Sequence, residues 1–141
     1  MANLVVHFEI YGTEPERLVD FYSALFGWTI DRYGEMEYWG VQTGEGSVQS
    51  SAGTPGLGIN GGIAKRDGPA PTPGGPVAGA NIVVAVDDVD ATFSKGLELG
   101  GTDAMAPTDM EGVGRLAYLH DPAGNLFGFL SPVLSDGTSA M

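Results

Sequence analysis

The sequence contains no cysteine among its 141 residues. This absence excludes disulfides, thiolate metal ligands and thiol nucleophiles from the chemistry of the chain. Basic residues are few, with 6 Lys and Arg against 18 Asp and Glu, which gives a formal net charge of −12. Because a strongly acidic surface repels phosphate backbones and anionic lipids, we expect neither nucleic acid nor a membrane as a partner.

Long apolar runs are missing as well. No run approaches the ~20 residues that a membrane-spanning helix needs, and no basic leader precedes the first strand-like run. These two features favour a cytoplasmic protein. Hydrophobic residues make up 43% of the sequence, which is enough for one sizeable core, and we therefore expect a single domain over residues 1–141.

What the sequence does contain is an internal repeat. The run LVVHFEI (Leu4 to Ile10) leads into a helix-like segment that ends in LFGW, and NIVVAV (Asn81 to Val86) leads into another that ends in LELGG. Short, turn-rich strand patterns follow each copy. The repeat predicts an α+β fold with one module at about residues 1–67, a Pro/Gly-rich linker at 68–79 and a second module at about 80–134.

Local signals mark where the helices begin and end. In the first module, Thr13 and Glu16 form a possible capping box, Pro15 suits a first helical turn, and Gly27 ends the helix. In the second, Asp87 or Asp88 can cap the helix. The run from Leu57 to Arg66 is typical of a last strand. The segment from Asp103 to Arg115 is expected to form a mobile loop at the rim of a cavity.

Four runs carry a family resemblance: EPERLVDFYSALFGW, GINGGIAKR, VDDVDATFSKGLELGG and HDPAGNLFGFLSP. They resemble the vicinal oxygen chelate superfamily of glyoxalases, bleomycin resistance proteins and extradiol dioxygenases, and within it the glyoxalase-like branch of small single-domain proteins. The resemblance implies two βαβββ modules that form one domain, with curved mixed sheets around a cavity. It also implies that the chain forms a homodimer.

Metal-dependent members of that superfamily take a histidine from the first strand of each module and a carboxylate from each last strand. Here His7 occupies the first of these places, with Glu9 beside it. Residues 47–66 contain no Asp, Glu or His, Asn81 stands where the second histidine is expected, and Gly128 stands where a carboxylate is expected. Since catalytic metal sites usually keep at least three protein ligands, we expect no divalent metal and no other cofactor.

His7 has two interpretations that the sequence leaves open. Alternation along the strand places His7 and Glu9 on one face, where the imidazole could act as a general base or hold a ligand. A lone histidine on a strand can equally be a structural hydrogen-bonding residue. His120 precedes a turn and is expected to be a turn or rim residue. The predicted catalytic residues are therefore His7 and Glu9, and the predicted ligand-binding residues are His7, Tyr38, Trp39, Asn60, Asn81 and Tyr118.

Three functions remain compatible with the sequence. The first, which we favour, is a small-molecule-binding protein that holds an organic ligand without a metal. The second is a metal-free lyase or isomerase in which His7, with Glu9, moves a proton. The third is a metal-dependent enzyme of the glyoxalase type, against which the missing strand carboxylates argue. G-x-S-x-G and Walker motifs are absent, so the sequence gives no support to serine hydrolase or nucleotide chemistry.

Overall fold

The computed structural model of the chain describes residue 5 and residues 7–47, 58–75 and 79–140. Contacts divide the chain into two units, Met1–Ala70 and Pro71–Met141. Each unit contains a helix and a four-stranded mixed sheet, which confirms the α+β class and the repeated βαβββ order. Within the described ranges no helix is long and apolar enough to cross a membrane. Leu4, Leu57 and residues 76–78, which the predicted strands and linker include, lie outside those ranges.

The first unit is built from one helix and one sheet. Its elements in chain order are β1 (His7–Gly12), α1 (Pro15–Phe26), β2 (Thr29–Arg32), β3 (Tyr38–Gln42) and β4 (Asn60–Lys65). The strand order is β1-β4-β3-β2. β1 runs parallel to β4, while the other neighbours are antiparallel. The parallel pair therefore joins the first and last strands of the module, which need a crossover connection rather than a hairpin.

The helix α1 begins and ends close to the residues that the sequence marks. Pro15 lies in its first turn, and Gly27 ends it with a φ of 73° in the left-handed region. The predicted capping box of Thr13 and Glu16 is wrong, because Glu14 is the N-cap and no side chain caps the helix. A proline disfavours helical backbone at the residue before it, so Glu14 is not helical and the helix begins one residue too late for the capping box.

One face of α1 packs on the first sheet. The apolar residues of that face are all buried, namely Leu18, Phe21, Tyr22 and Leu25. The buried apolar side chains of the sheet are Ile10, Trp39, Val41 and Ile63. Each such side chain contributes about 1.5–3 kcal/mol through burial. Because side chains alternate along a strand, the residues next in sequence to these buried sheet residues point to the face turned away from α1, which we name the first open face.

The second unit follows the same path. Its elements are β5 (Ile82–Ala85), α2 (Val89–Glu98), β6 (Thr102–Met110), β7 (Gly114–His120) and β8 (Leu126–Ser131). The strand order is β5-β8-β7-β6, with β5 parallel to β8. The Asp88 carboxylate accepts a hydrogen bond from the backbone N–H of Ala91 at 3.0 Å. Asp88, one of the two predicted caps, is thus the N-cap of α2.

The rim loop predicted from Asp103 to Arg115 is wrong for most of its length, because β6 covers Thr102–Met110. This strand lies at the edge of the second sheet and pairs with β7 through two irregularities in register. Pro107 has no N–H to donate, which an edge strand tolerates. Most residues of β6 are exposed, so the segment lacks the apolar alternation by which a strand is recognised in sequence.

The face of the second sheet turned away from α2, which we name the second open face, is mainly apolar. It carries the exposed residues Val83 and Ala85 and the half-buried Leu130. The ring of Tyr118 covers Gly128, since a Cβ on this glycine would lie 2.7 Å from Cε1 of the ring. The second open face therefore offers contact surface with few hydrogen-bonding groups.

Candidate functional site

Strand register arranges the first open face in three rows that run across the sheet. The polar row consists of Thr29, Gln42, Asn60 and His7. The glycine row consists of Asp31, Gly40, Gly62 and Glu9. The tyrosine row consists of Tyr33, Tyr38, Ala64 and Tyr11. The first open face is therefore polar and aromatic, with a strip in its middle that has no side chains.

The glycine row makes room for two tyrosine rings. A Cβ on Gly62 would collide with the hydroxyl of Tyr38, so the Tyr38 ring lies directly on that glycine. A Cβ on Gly40 would lie 3.9 Å from Cε2 of Tyr33. The two rings are stacked, with centroids 5.7 Å apart and an angle of 14° between their planes. Absence of a side chain at Gly62 is thus what allows Tyr38 to reach across the sheet.

Across the sheet Tyr38 meets His7, and a hydrogen-bond network forms. The Nε2 atom of His7 lies 3.0 Å from the Tyr38 hydroxyl and 3.4 Å from Oε2 of Glu9. The Tyr11 hydroxyl donates to Oε1 of Glu9 at 2.8 Å. Each oxygen of the Glu9 carboxylate therefore has a partner, and Nε2 of His7 has two partners, Tyr38 and Glu9.

The network shifts two pKa values. The hydrogen bond from Tyr11, with smaller contributions from Tyr38 and His7, lowers the pKa of the Glu9 carboxyl although partial burial opposes this. Burial and, next, the Glu9 carboxylate raise the pKa of Tyr38 to about 12. At neutral pH Glu9 is therefore ionised and Tyr38 keeps its proton, so the network contains one fixed negative charge and a hydroxyl that can still donate.

The ionised state of Glu9 bears on which of the two ring nitrogens of neutral His7 carries the proton. An ionised carboxylate can only accept hydrogen bonds. An unprotonated Nε2 beside it would be repelled, because both atoms would present a lone pair to each other. Repulsion of this kind favours the tautomer of His7 that carries the proton on Nε2, facing Tyr38 and Glu9. In that tautomer Nδ1 is the acceptor, and this is the arrangement in which a carboxylate orients a histidine for proton transfer.

An open cavity of about 310 Å³ lies beside this network on the first open face. Its lining residues are His7, Asp31, Arg32, Tyr33, Tyr38, Gly40, Val41, Gln42, Asn60 and Gly61. Asn60 is buried, and its side-chain oxygen accepts a hydrogen bond from the backbone N–H of Thr43 at 2.9 Å. A volume of this size falls at the lower end of the range of small-molecule sites.

The predicted site residues fall into three groups. His7, Tyr38 and Asn60 line the cavity, and Glu9 binds His7 beside it. Trp39 is buried on the opposite face of the sheet, under the Arg32 guanidinium, and does not join them. The remaining two, Asn81 and Tyr118, belong to the second unit.

Among the lining residues that were not predicted from the sequence are three with polar side chains on the first open face: Asp31, Tyr33 and Gln42. Asp31 and Tyr33 share a face of β2 and its extension, and Gln42 shares a face of β3 with Tyr38. Counting alternate residues outward from Tyr38 would have found Gln42. Asp31 and Tyr33 come beside it only through the pairing of β2 with β3.

The described residues do not fit the metal site of the superfamily that the sequence resembles. Gly128, where a carboxylate is expected, lies under the Tyr118 ring, and Gly62, its counterpart in the first sheet by strand register, lies under the Tyr38 ring. Val83, with no donor atom, is the β5 residue paired with Gly128. No group of three His, Asp or Glu side chains with metal-binding geometry occurs among residues 5, 7–47, 58–75 and 79–140.

The second histidine has a structural partner. His120 is half-buried, and its Nε2 accepts a hydrogen bond from the backbone N–H of Gly74 at 3.2 Å. This contact ties the segment before the second module to the end of β7. A role at a turn, as predicted, fits this contact better than that of a ligand-binding group.

Removing the Tyr11 hydroxyl is expected to raise the pKa of Glu9. In Tyr11→Phe the carboxylate loses its strongest stabilising donor, so the pKa moves back toward the ordinary value of 4.5. Any stability that ionised Glu9 contributes is present above that value and is lost as pH falls through the folded pKa, so Tyr11→Phe reduces it. A ¹³C NMR titration of the Glu9 carboxyl measures the shift. Tyr33→Phe is the control, and an equal pKa of Glu9 in both variants would contradict the assignment.

Comparisons with known proteins place the chain in a family. The family described as Glyoxalase/Bleomycin resistance protein/Dioxygenase superfamily matches residues 4–129. CFP32 of Mycobacterium tuberculosis is 44% identical over 52 residues, which cover 37% of this chain and 20% of that protein. The anthracycline biosynthesis protein DnrV of Streptomyces peucetius is 30% identical over 120 residues, which cover 85% of this chain and 44% of DnrV. The chain thus spans less than half the length of these curated relatives.

Solved structures agree on the fold. The fosfomycin resistance protein FosX of Listeria monocytogenes superposes with a TM-score of 0.66 at 14% identity, over 92% of this chain and 90% of FosX. At this level of identity the superposition shows the fold alone. With a family match over nearly the whole sequence and the repeated βαβββ order, the resemblance seen in the sequence is confirmed. The chain belongs to the glyoxalase/bleomycin resistance protein/dioxygenase superfamily.

Proposed function

We propose that the chain is a small-molecule-binding protein that holds an organic ligand in the cavity of the first open face. The observation that carries this proposal is a cavity of about 310 Å³ with His7, Tyr38 and Asn60 in its wall. Aromatic walls with a few placed polar groups are the usual composition of small-molecule sites. The name of DnrV refers to biosynthesis of a small organic molecule, which supports the same class of partner.

Binding in this proposal uses no divalent metal. The donor set consists of His7 and Glu9, and both are engaged with Tyr38 and with each other. We therefore expect elemental analysis of the purified protein to find zinc, nickel, iron and manganese far below one ion per chain. One tightly held ion per chain that disappears in His7→Ala would refute this part of the proposal.

A second candidate is a metal-free lyase or isomerase, and one observation favours it. Glu9 and Tyr38 hold Nε2 of His7, which leaves Nδ1 as a proton acceptor on a side chain that is 43% exposed. In this mechanism His7 takes a proton from a carbonyl-containing substrate, and Glu9 stabilises the resulting imidazolium. Glu9 is then a positioning residue, since it acts through His7.

Substitution of His7 distinguishes the two candidates. If the protein only binds, native mass spectrometry of protein purified under mild conditions will show a retained small molecule, and His7→Ala will retain less of it. If His7 is a base, His7→Ala will abolish turnover of that molecule and leave binding nearly unchanged, because a base acts mainly in the transition state. A melting temperature lower by several degrees, with affinity and turnover intact, would make His7 structural. Absence of any retained molecule would count against the proposed function.

We also propose that two copies of the chain form a homodimer and that the protein is cytoplasmic. Pairing of two copies, implied by the resemblance to family members, stays a prediction, as does a cytoplasmic location. We also expect no nucleic acid partner, because the 18 acidic residues outnumber the 6 basic ones.

A further inference from the structure

Charge is distributed unevenly around the cavity of the first open face. Asp31 and Glu9 stand at the two ends of the glycine row, about 14 Å apart if adjacent strands are ~4.8 Å from each other. Asp31 is exposed and lines the cavity, and its carboxylate has no hydrogen-bond or ion-pair partner among the described residues. The cavity thus contains an unpaired carboxylate, with a second one beside His7.

The positive charge nearest to the cavity is already engaged. Nε of Arg32 donates to the Met36 carbonyl at 2.9 Å, and Nη2 donates to the Glu35 carbonyl at 3.2 Å. The same guanidinium lies 5.1 Å from the ring centroid of Trp39, on the opposite side of the sheet. Among the lining residues that the structure describes, Arg32 is the one lysine or arginine. An anionic ligand would therefore meet the unpaired Asp31 carboxylate, while the Arg32 guanidinium is engaged by Glu37 at 3.7 Å and by backbone carbonyls.

The stacked rings of Tyr33 and Tyr38 give the cavity a second means of binding a ligand. Tyr33 is 62% exposed and forms one wall of the cavity together with Tyr38. An exposed aromatic face stacks on flat ring systems and attracts cations through its quadrupole. Because burial holds the Tyr38 hydroxyl in its neutral form, this wall adds no negative charge of its own.

We infer that the cavity takes a protonated amine carried on a flat aromatic group. In this arrangement the ring lies against Tyr33 and Tyr38, and the ammonium group lies at Asp31. Gln42 and Asn60, in the polar row, face the ring from the other side. The inference rests on the proposed function, because it names the ligand class of the same cavity. It also gives the carboxylate at Asp31 a role that neither the hydrogen-bond network nor the core requires.

Three probes that share an indole ring and a two-carbon linker but differ in charge test the inference. Tryptamine is a cation, indole-3-propionamide is neutral and indole-3-propionate is an anion. Titrations followed by ¹H–¹⁵N NMR should show shift changes at the Gly40 and Gln42 amides. We expect tryptamine to bind about tenfold more tightly than indole-3-propionate, with a preference that weakens as salt is added. Equal or tighter binding of the propionate would overturn the inference.

Two variants that remove the same charge at different places test whether Asp31 causes the preference for the cationic probe. Asp31→Asn is expected to weaken tryptamine binding about fivefold and to change propionamide binding less than about twofold. Asp20→Asn, on the exposed side of α1, removes the same charge far from the open face and should change neither affinity. Equal losses in the two variants would show a general effect of net charge and overturn the assignment to Asp31.

Failure of this inference differs from failure of the proposed function. If no probe perturbs the cavity amides, the aromatic-amine class is overturned. The binding function itself fails only if native mass spectrometry finds no retained molecule.

Discussion

Substitution of Gly62 by alanine is expected to lower the affinity for tryptamine by about tenfold. The new methyl group would collide with the Tyr38 hydroxyl, so the ring must leave its place on the sheet. Tyr38 then moves away from Nε2 of His7 and reshapes the wall of the cavity. The loss of stability should be small, because the end of a side chain can move more easily than backbone. The NMR titration measures the affinity, and ¹⁵N shifts of the His7 ring report the broken hydrogen bond.

The matched control for this experiment is Gly40→Ala. Gly40 lies in the same row, but its Cβ would stand 3.9 Å from the nearest atoms, which is ordinary contact. This variant adds the same volume to the cavity floor and leaves the bond between Tyr38 and His7 intact, so its affinity should fall less than about threefold. If the two glycine variants bind tryptamine equally well, the position of the Tyr38 ring does not control the site.

The largest loss of stability is expected at Gly114, where alanine should lower the free energy of unfolding by about 4 kcal/mol. Gly114 has a φ of 138°, which residues with a side chain rarely adopt. Its Cβ would also collide with the backbone oxygen of Ser131. That oxygen is fixed by the pairing of β7 with β8, in which Ser131 lies opposite Arg115. Urea denaturation followed by circular dichroism measures the loss.

Gly112 offers a control in the same turn. It has a φ of 76° and open space where a Cβ would stand. Gly112→Ala therefore introduces backbone strain without a collision and should cost about 1 kcal/mol. The difference between the two variants isolates the contact with Ser131. Similar losses in both would mean that conformational strain alone requires glycine in this turn.

Much of the fold could be predicted because its signals are local. Alternation around His7, the proline at position 15 and the glycine at position 27 each act within a few residues, and all three predict the observed elements. Asp88 was one of two equivalent caps, and only the structure shows which of them receives the N–H of Ala91. The edge strand β6 was missed because an exposed strand containing Pro107 has no apolar periodicity to recognise.

Tyr38 and Asn60 were predicted as ligand-binding residues, but the sequence could derive a shared position only for residues of one strand. His7 and Glu9 share a face of a single strand, so alternation placed them together. Tyr38 reaches them only because Gly62 lies between, and that approach depends on how β3 and β4 are aligned. Asp31 joins the site through a third strand pairing, which local sequence does not encode. Of the two aromatic neighbours Tyr38 and Trp39, alternation requires that one face the helix, but it does not say which.

The contrast between the two open faces bears on how such proteins diversify. His7, Glu9 and Asp31 on the first face, and Val83 and Ala85 on the second, are exposed and lie outside the buried cores of their own modules. Backbone pairing and the faces packed on the helices hold each module together. Mutations on the open faces can therefore accumulate at little cost in folding. Natural selection can act on the two copies of the repeat separately, so one ancestral scaffold can acquire new specificities while its architecture is preserved.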